Sequence, residues 1–167
     1  MNKSLNSLGL MSGTSGDGVD ASLINSDGKG YYKVLINKYF KYSDEISQNI
    51  YKLKRNINDI YDVKIFGKEI NDLERKITLF HSNVVSNFTK NEDFEIDLIG
   101  FHGQTILHKP KNKYSKQLGD GTLLSQLSKK KVIYNFRQND LLKGGEGAPL
   151  SPIFHQIIVK EKKIDLP

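Results

Sequence analysis

A chain of 167 residues with 37% hydrophobic and 10% aromatic content holds enough apolar material for one ordinary domain and too little for two. Cysteine is absent, which excludes disulfides and thiolate metal sites and fits the cytoplasm. The formal charge of +6, from 25 basic residues against 19 acidic, comes mainly from lysines scattered among Asn and Ile, with short runs only at Lys129-Lys130-Lys131 and Lys162-Lys163. It reads as a solvated surface, not as a nucleic-acid footprint. No window approaches ~18 uninterrupted apolar residues, and the N-terminus lacks the charged flank, apolar core and small-residue site of a secretory signal. A cytoplasmic protein with neither a membrane nor a nucleic-acid partner is expected.

Leu8, Leu10 and Met11 form a short apolar run that breaks into Ser12-Gly13-Thr14-Ser15-Gly16-Asp17-Gly18 before apolar character resumes from Val19 to Ile24. The pattern is strand, small-residue turn, strand. Such a loop exposes backbone N–H groups and hydroxyls with no bulky side chain in the way, a concavity suited to a phosphate chain. Asp17 and Asp20 together could hold a hydrated Mg²⁺, which takes one or two carboxylates plus phosphate oxygens. An ordinary hairpin with a polar tip is the alternative. No Gly-Lys-Ser/Thr follows, so this is not a Walker loop. The next element is a strand and not a helix, so it is not the dinucleotide fingerprint either.

Ser26-Asp27-Gly28 marks a second turn, and Tyr32, Val34 and Ile36 alternate toward Phe40, completing an antiparallel meander. Ser43 is placed to cap a short helix with Ile46, Ile50 and Leu53 on one face. Phe66, Ile70, Leu73, Ile77, Phe80, Val84 and Phe88 recur at spacings of about three and four, the stripe of a long buried helix. Asp72 and Lys76 are set for a pair on its wet side, and Asn91-Glu92-Asp93 closes it. The stripe lacks the length and flanking charges of a coiled coil.

Ile96 to Phe101 reads as a buried strand ending at His102-Gly103-Gln104-Thr105. A loop from Pro110 to Gly121, a helix from Thr122 to Lys130 and a strand from Val132 to Phe136 follow. Gly144, Gly145, Gly147 and Pro149 make the most flexible-looking loop, and Ser151-Pro152 opens a last helix with Ser as cap. This order suggests a mixed sheet of three antiparallel meander strands plus parallel strands, with helices on both faces: an α/β, ribonuclease-H-like architecture of the actin-like ATPase and sugar-kinase type. Fold alone does not give function.

Three further motifs bear on function. His102-Gly103-Gln104-Thr105 puts polar side chains at a strand's C-terminal edge, where α/β ligand sites form. Gln117-Leu118-Gly119-Asp120-Gly121 sets an amide and a carboxylate around a turn. Gly144-Gly145-Glu146-Gly147-Ala148-Pro149-Leu150 leads to Pro152-Ile153-Phe154-His155. Each alone has a structural reading: a satisfied histidine, a common turn, a flexible connection. Arg137 is a candidate for a phosphate or carboxylate contact, with a surface salt bridge as the alternative.

Together, and behind Met11-Ser12-Gly13-Thr14-Ser15 and Asp17-Gly18-Val19-Asp20, these motifs resemble the N-terminal part of the anhydro-N-acetylmuramic acid kinases, from about Leu8 to His155. The resemblance implies the first lobe of a two-domain, actin-like sugar kinase of the bacterial cytoplasm, acting in peptidoglycan recycling. Such enzymes use ATP and Mg²⁺ to phosphorylate the 6-oxygen of 1,6-anhydro-N-acetylmuramic acid while water opens the anhydro ring, giving N-acetylmuramic acid 6-phosphate. It implies that Gly13, Thr14, Ser15, Gly16, Asp17, Gly18, Val19 and Asp20 bind ATP. It places His102, Gln104, Thr105, Gln117 and Asp120 on the sugar side of the cleft. A homodimer, or a complementing C-terminal half, is the implied protein partner.

Departures from the family pattern are Gly16, where Leu is usual, and Asn135, where Asp precedes Phe-Arg. Gln138 and Asn139 stand at often basic positions. The family's catalytic base for the attacking water is an aspartate in an Asp-Thr-Gly motif that lies beyond Pro167, so no catalytic residue is assigned here. The alternative reading is a catalytically inactive remnant or partner subunit that binds only amino sugar or nucleotide.

Overall fold

The structure is a computed structural model and describes residues 4–91 and 94–161. Three strands open the chain, β1 (Leu5–Ser12), β2 (Gly18–Ser26) and β3 (Tyr32–Lys41). They pair as the expected meander, with Leu8 opposite Leu23, Leu10 opposite Ala21 and Val19 opposite Phe40. At the second turn the Asp27 carboxylate collects the amides of Lys29, Gly30 and Tyr31, and these hydrogen bonds hold its pKa below the usual range.

Helix α1 (Asp44–Asn56) begins where Ser43 accepts from the Ile46 amide. A short helix α2 (Ile60–Ile65), opened by an Asp59–Asp62 capping box, turns the chain into α3 (Gly67–Asn91). Then come β4 (Leu98–Lys109), β5 (Tyr114–Leu118), α4 (Gly121–Ser128), β6 (Lys131–Tyr134), α5 (Gln138–Leu142) and α6 (Leu150–Glu161). The sheet runs β3-β2-β1-β4, and β4 lies parallel to β1. Its outer edge is shared: β6 pairs in parallel with Leu98–Phe101, and β5 pairs antiparallel with Gln104–Lys109.

Strand alternation sends Leu8, Leu10, Val19, Ala21, Leu23, Ile99 and Phe101 to one face. There they meet Ile46, Ile50 and Leu53 of α1 and Ile70, Leu73, Ile77, Val84 and Phe88 of α3. Each of the larger of these side chains contributes about 1.5–3 kcal/mol on burial. The other face carries Gly9, Ser22, Ile24, Val34, Gly100 and Ile133 and is covered lightly, by Phe136 and by Phe154 of α6. Phe154 meets Tyr32 edge-on, with ring centroids 5.3 Å apart. Helices therefore stand on both faces, as expected, but unequally.

Several local expectations need correction. The strand expected to end at His102 continues to Lys109, and the expected loop after Pro110 contains β5. These segments carry too few apolar residues to read as strand; pairing along the edge of β4 supplies what propensity does not. Helices α2 and α5 were not legible, and α6 starts at Leu150, leaving Ser151 inside the helix. Lys76 pairs with Glu45 of α1 and not with Asp72. Glu92 and Asp93, expected to help close the long helix, and Lys162 to Pro167 lie outside the described residues.

Candidate functional site

The first loop is held at nearly every residue. Ser12 Oγ and the Tyr42 hydroxyl are hydrogen bonded at 2.5 Å. The Gly13 carbonyl accepts from the Gly16 amide at 3.2 Å and from Gln104 Nε2 at 2.9 Å. Thr14 O accepts from Lys54 Nζ, and Asp17 O from the Tyr42 amide at 2.8 Å. Gly16 takes φ +70°, and a Cβ on it would lie 2.8 Å from Ile50 Cγ2. Ile50 fills from below the space that a side chain at this position would take. At Gly18 a Cβ would lie 2.6 Å from the Tyr39 hydroxyl, so only glycine lets that ring lie across the strand.

The Ser15 hydroxyl donates to the Asp17 carboxylate, and with the Tyr39 hydroxyl and neighbouring amides it lowers the Asp17 pKa. Desolvation and the charges of Asp17 and Asp20 raise that of Tyr39. The two acids thus share one neighbour. Among the described residues no group of three or more His, Cys, Asp or Glu is arranged to hold a metal. Two carboxylates suit Mg²⁺ only where phosphate oxygens complete its shell. The Thr14 and Ser15 amides make no hydrogen bond within the described residues.

Beside the loop, β4 carries a bulge. Its register against β1 shifts between Leu10 and Ser12, and Gly103 takes φ +71°. A Cβ there would come within 2.4 Å of the Leu118 carbonyl oxygen. This bulge re-aims the side chains around it. Gln104 turns inward and is fully buried; its amide donates to Gly13 O and Thr105 O, and its Oε1 has no partner. His102 turns into the gap left where β6 ends and β5 begins. That gap is a cavity of about 300 Å³ lined by Glu74, Phe101, His102, Lys116, Gln117, Tyr134 and Asn135, among others.

Inside it, His102 Nδ1–H donates to Gly103 O at 2.7 Å, and Nε2 accepts from the Arg137 fork at 2.8 and 3.2 Å. Burial chiefly, joined by the Arg137 charge and opposed by the Gly103 hydrogen bond, lowers the His102 pKa, and Nε2, accepting from Arg137, carries no proton. Arg137 also donates to Gly147 O at 2.6 Å, and among the described residues it forms no salt bridge, the alternative expected from sequence. The glycine-rich loop is not slack: Asp140 accepts from the Gly147 amide at 2.7 Å, and His108 Nε2 bonds Glu146 O at 3.1 Å.

Gln117 donates to Thr105 Oγ1 at 3.2 Å and to Ser115 Oγ at 2.6 Å. Asp120 caps α4 through the Leu123 amide, and its own amide donates to Thr78 of α3. Glu74 Oε1 accepts from Lys116 at 2.9 Å and from the Gly119 amide at 3.2 Å. Asn135 holds φ +61°, a conformation asparagine tolerates better than most residues. The structure thus brings Gln104 to the first loop and His102 and Gln117 to the cavity; Thr105 is tied to Gln117 but does not line the cavity, and Asp120 is spent on the cap of α4. Lys54, Tyr39, Tyr42, Glu74 and His108 were not anticipated. They lie on elements whose local pattern speaks only of packing, and no spacing links them to the loops they touch.

A meander joined in parallel to β4 and through it to β6, with helices on both faces and a glycine-rich hairpin against a bulged strand, makes up a mixed α/β domain of the actin-like ATPase fold. The family model for anhydro-N-acetylmuramic acid kinase matches residues 5–165. Proteins called anhydro-N-acetylmuramic acid kinase match as well. That of Pelagibacter ubique (strain HTCC1062) is 53% identical over 167 residues, covering 100% of this chain and 44% of that protein. That of Agrobacterium fabrum is 37% identical over 154 residues, covering 90% and 41%, and that of Rhodopseudomonas palustris (strain BisB18) 34% over 159 residues, covering 93% and 44%. The chain belongs to the anhydro-N-acetylmuramic acid kinase family. It spans less than half the length of these relatives.

Proposed function

We propose that residues 1–167 are the N-terminal lobe of an ATP-dependent kinase that phosphorylates 1,6-anhydro-N-acetylmuramic acid on its 6-oxygen, with hydrolytic opening of the anhydro ring. The product, N-acetylmuramic acid 6-phosphate, belongs to cytoplasmic recycling of cell-wall sugar. The observation that carries this reading is the Gln104–Gly13 hydrogen bond, which ties the first loop to the same bulge that turns His102 into the cavity. A phosphate donor on one side of the bulge and an alcohol on the other would face each other across it.

Gly13 to Asp20 would hold the nucleotide's phosphates. The free Thr14 and Ser15 amides would serve as donors, and Asp17, ionised at neutral pH, and Asp20 would hold Mg²⁺. Bound Mg²⁺ would neutralise charge on the transferring phosphoryl group. His102 has both ring nitrogens committed, so it would shape the sugar site and keep Arg137 and the Gly147 loop in place. Thr105, Gln117 and Asp120 would offer a hydroxyl, an amide and a carboxylate to the sugar. The base for water would come from a second lobe, whose closure completes the site.

The test is turnover. The polypeptide joined to a C-terminal half like that of its relatives should convert the anhydro sugar and MgATP to the 6-phosphate, read by mass spectrometry. Residues 1–167 alone should not. Gln104→Leu in the joined protein should lower kcat/KM about a hundredfold or more, because a misplaced loop loses orientation. An active fragment, or a joined protein inert toward the anhydro sugar, contradicts the reading. If the fragment binds sugar or nucleotide and the joined protein remains inert, the binding-only alternative stands.

A further inference from the structure

The first loop, Gly13 to Asp20, contains two carboxylates and no basic residue. A polyphosphate seated there would still need positive charge beyond its metal. One ammonium reaches the loop from outside. Lys54, in the last turn of α1, donates from Nζ to the Thr14 carbonyl. Ile50, one helical turn earlier on the same face, lies beneath Gly16. Helix α1 thus backs the loop and brings the ammonium to its rim.

Lys54 has no carboxylate partner among the described residues, where the ion pairs join Lys76 to Glu45, Lys116 to Glu74 and Lys130 to Glu95. A neutral carbonyl satisfies one of its three N–H donors. An anionic phosphate oxygen is a stronger acceptor than that carbonyl. We propose that Lys54 is a phosphate-contacting residue, supplying from α1 the cation that the first loop lacks. The proposal rests on the nucleotide reading of that loop.

The test uses the ¹⁵N-labelled chain titrated with MgATP and with inorganic tripolyphosphate, following the amides of Gly13 to Gly18 by NMR. Wild type should respond to both probes. Lys54→Gln should keep a folded spectrum and bind tripolyphosphate roughly tenfold to a hundredfold more weakly. Lys54→Arg, which keeps the charge, should stay within about threefold, and the gap between the two variants should shrink at high salt. Equal binding by Lys54→Gln and wild type overturns the Lys54 contact and leaves the nucleotide loop intact. Equal loss in Lys54→Gln and Lys54→Arg makes Lys54 a tether of Thr14 and also overturns it. A wild-type loop that responds to neither probe removes the nucleotide reading and Lys54 with it.

Discussion

His81 sits at the centre of the packed face, fully buried between Phe80, Tyr42 and Phe101. Its Nδ1–H donates to Ile77 O at 2.8 Å, and Nε2 is a bare acceptor with no partner. Burial lowers its pKa to about 4, against 6.5 in the unfolded chain. Above pH 6.5 both states hold it neutral and its full contribution is present. Between 6.5 and about 4 the unfolded chain takes up the proton and the folded one does not, so stability is lost as pH falls through that window. The loss should amount to about 3 kcal/mol. Thermal melts of wild type should fall across this range, and those of His81→Phe should be flatter. Parallel curves would mean that another group governs acid unfolding.

At the scale of elements, the bulge in β4 is the feature on which the site depends. Gly103 meets two demands at once, a positive φ and a Leu118 carbonyl in the place of a Cβ. Gly28 meets only the first, since nothing lies within 4 Å of its missing Cβ. Gly28→Ala should therefore cost about 1 kcal/mol in urea unfolding, and Gly103→Ala about 2–4 kcal/mol, with strain and overpacking added. Similar values for the two would mean that the strand relaxes without loss. A bulge of this kind is written in the sequence only as His-Gly-Gln-Thr, which reads equally well as the end of a strand. What makes it a bulge is the pairing with β1, where Leu10 faces Phe101 and Ser12 faces Gln104, so one residue of β1 spans two of β4; β5, whose polar residues do not announce a strand, then closes over Gly103 with Leu118 opposite Gln104.

For the whole molecule the two faces of the sheet predict unequal energetics. Phe88 is 1% exposed within the α1–α3 face, and Phe154 is 45% exposed on the other. Phe88→Ala should cost about 3–5 kcal/mol in chemical denaturation. Phe154→Ala should cost less than about 1.5 kcal/mol, because it gives up one edge contact with Tyr32 and partial burial. Comparable losses would show that α6 is integral to the core.

The meander, the cap of α1 and the stripe of α3 were legible in the residues because each is set locally, by alternation, by a serine before a helix and by a repeat near 3.6. Family membership was legible too, since Ser12 to Asp20, His102 to Thr105 and Gln117 to Asp120 occur in order along one chain. The tertiary structure alone decided which of those residues meet. Gln104 reaches Gly13, Arg137 occupies His102, and Lys54 rests on Thr14, pairs separated by 91, 35 and 40 positions. Hydrogen bonds between distant segments leave no periodicity in a sequence. They exist only after the burial of Leu8, Ile50, Ile77 and Phe101 has brought those segments to one place.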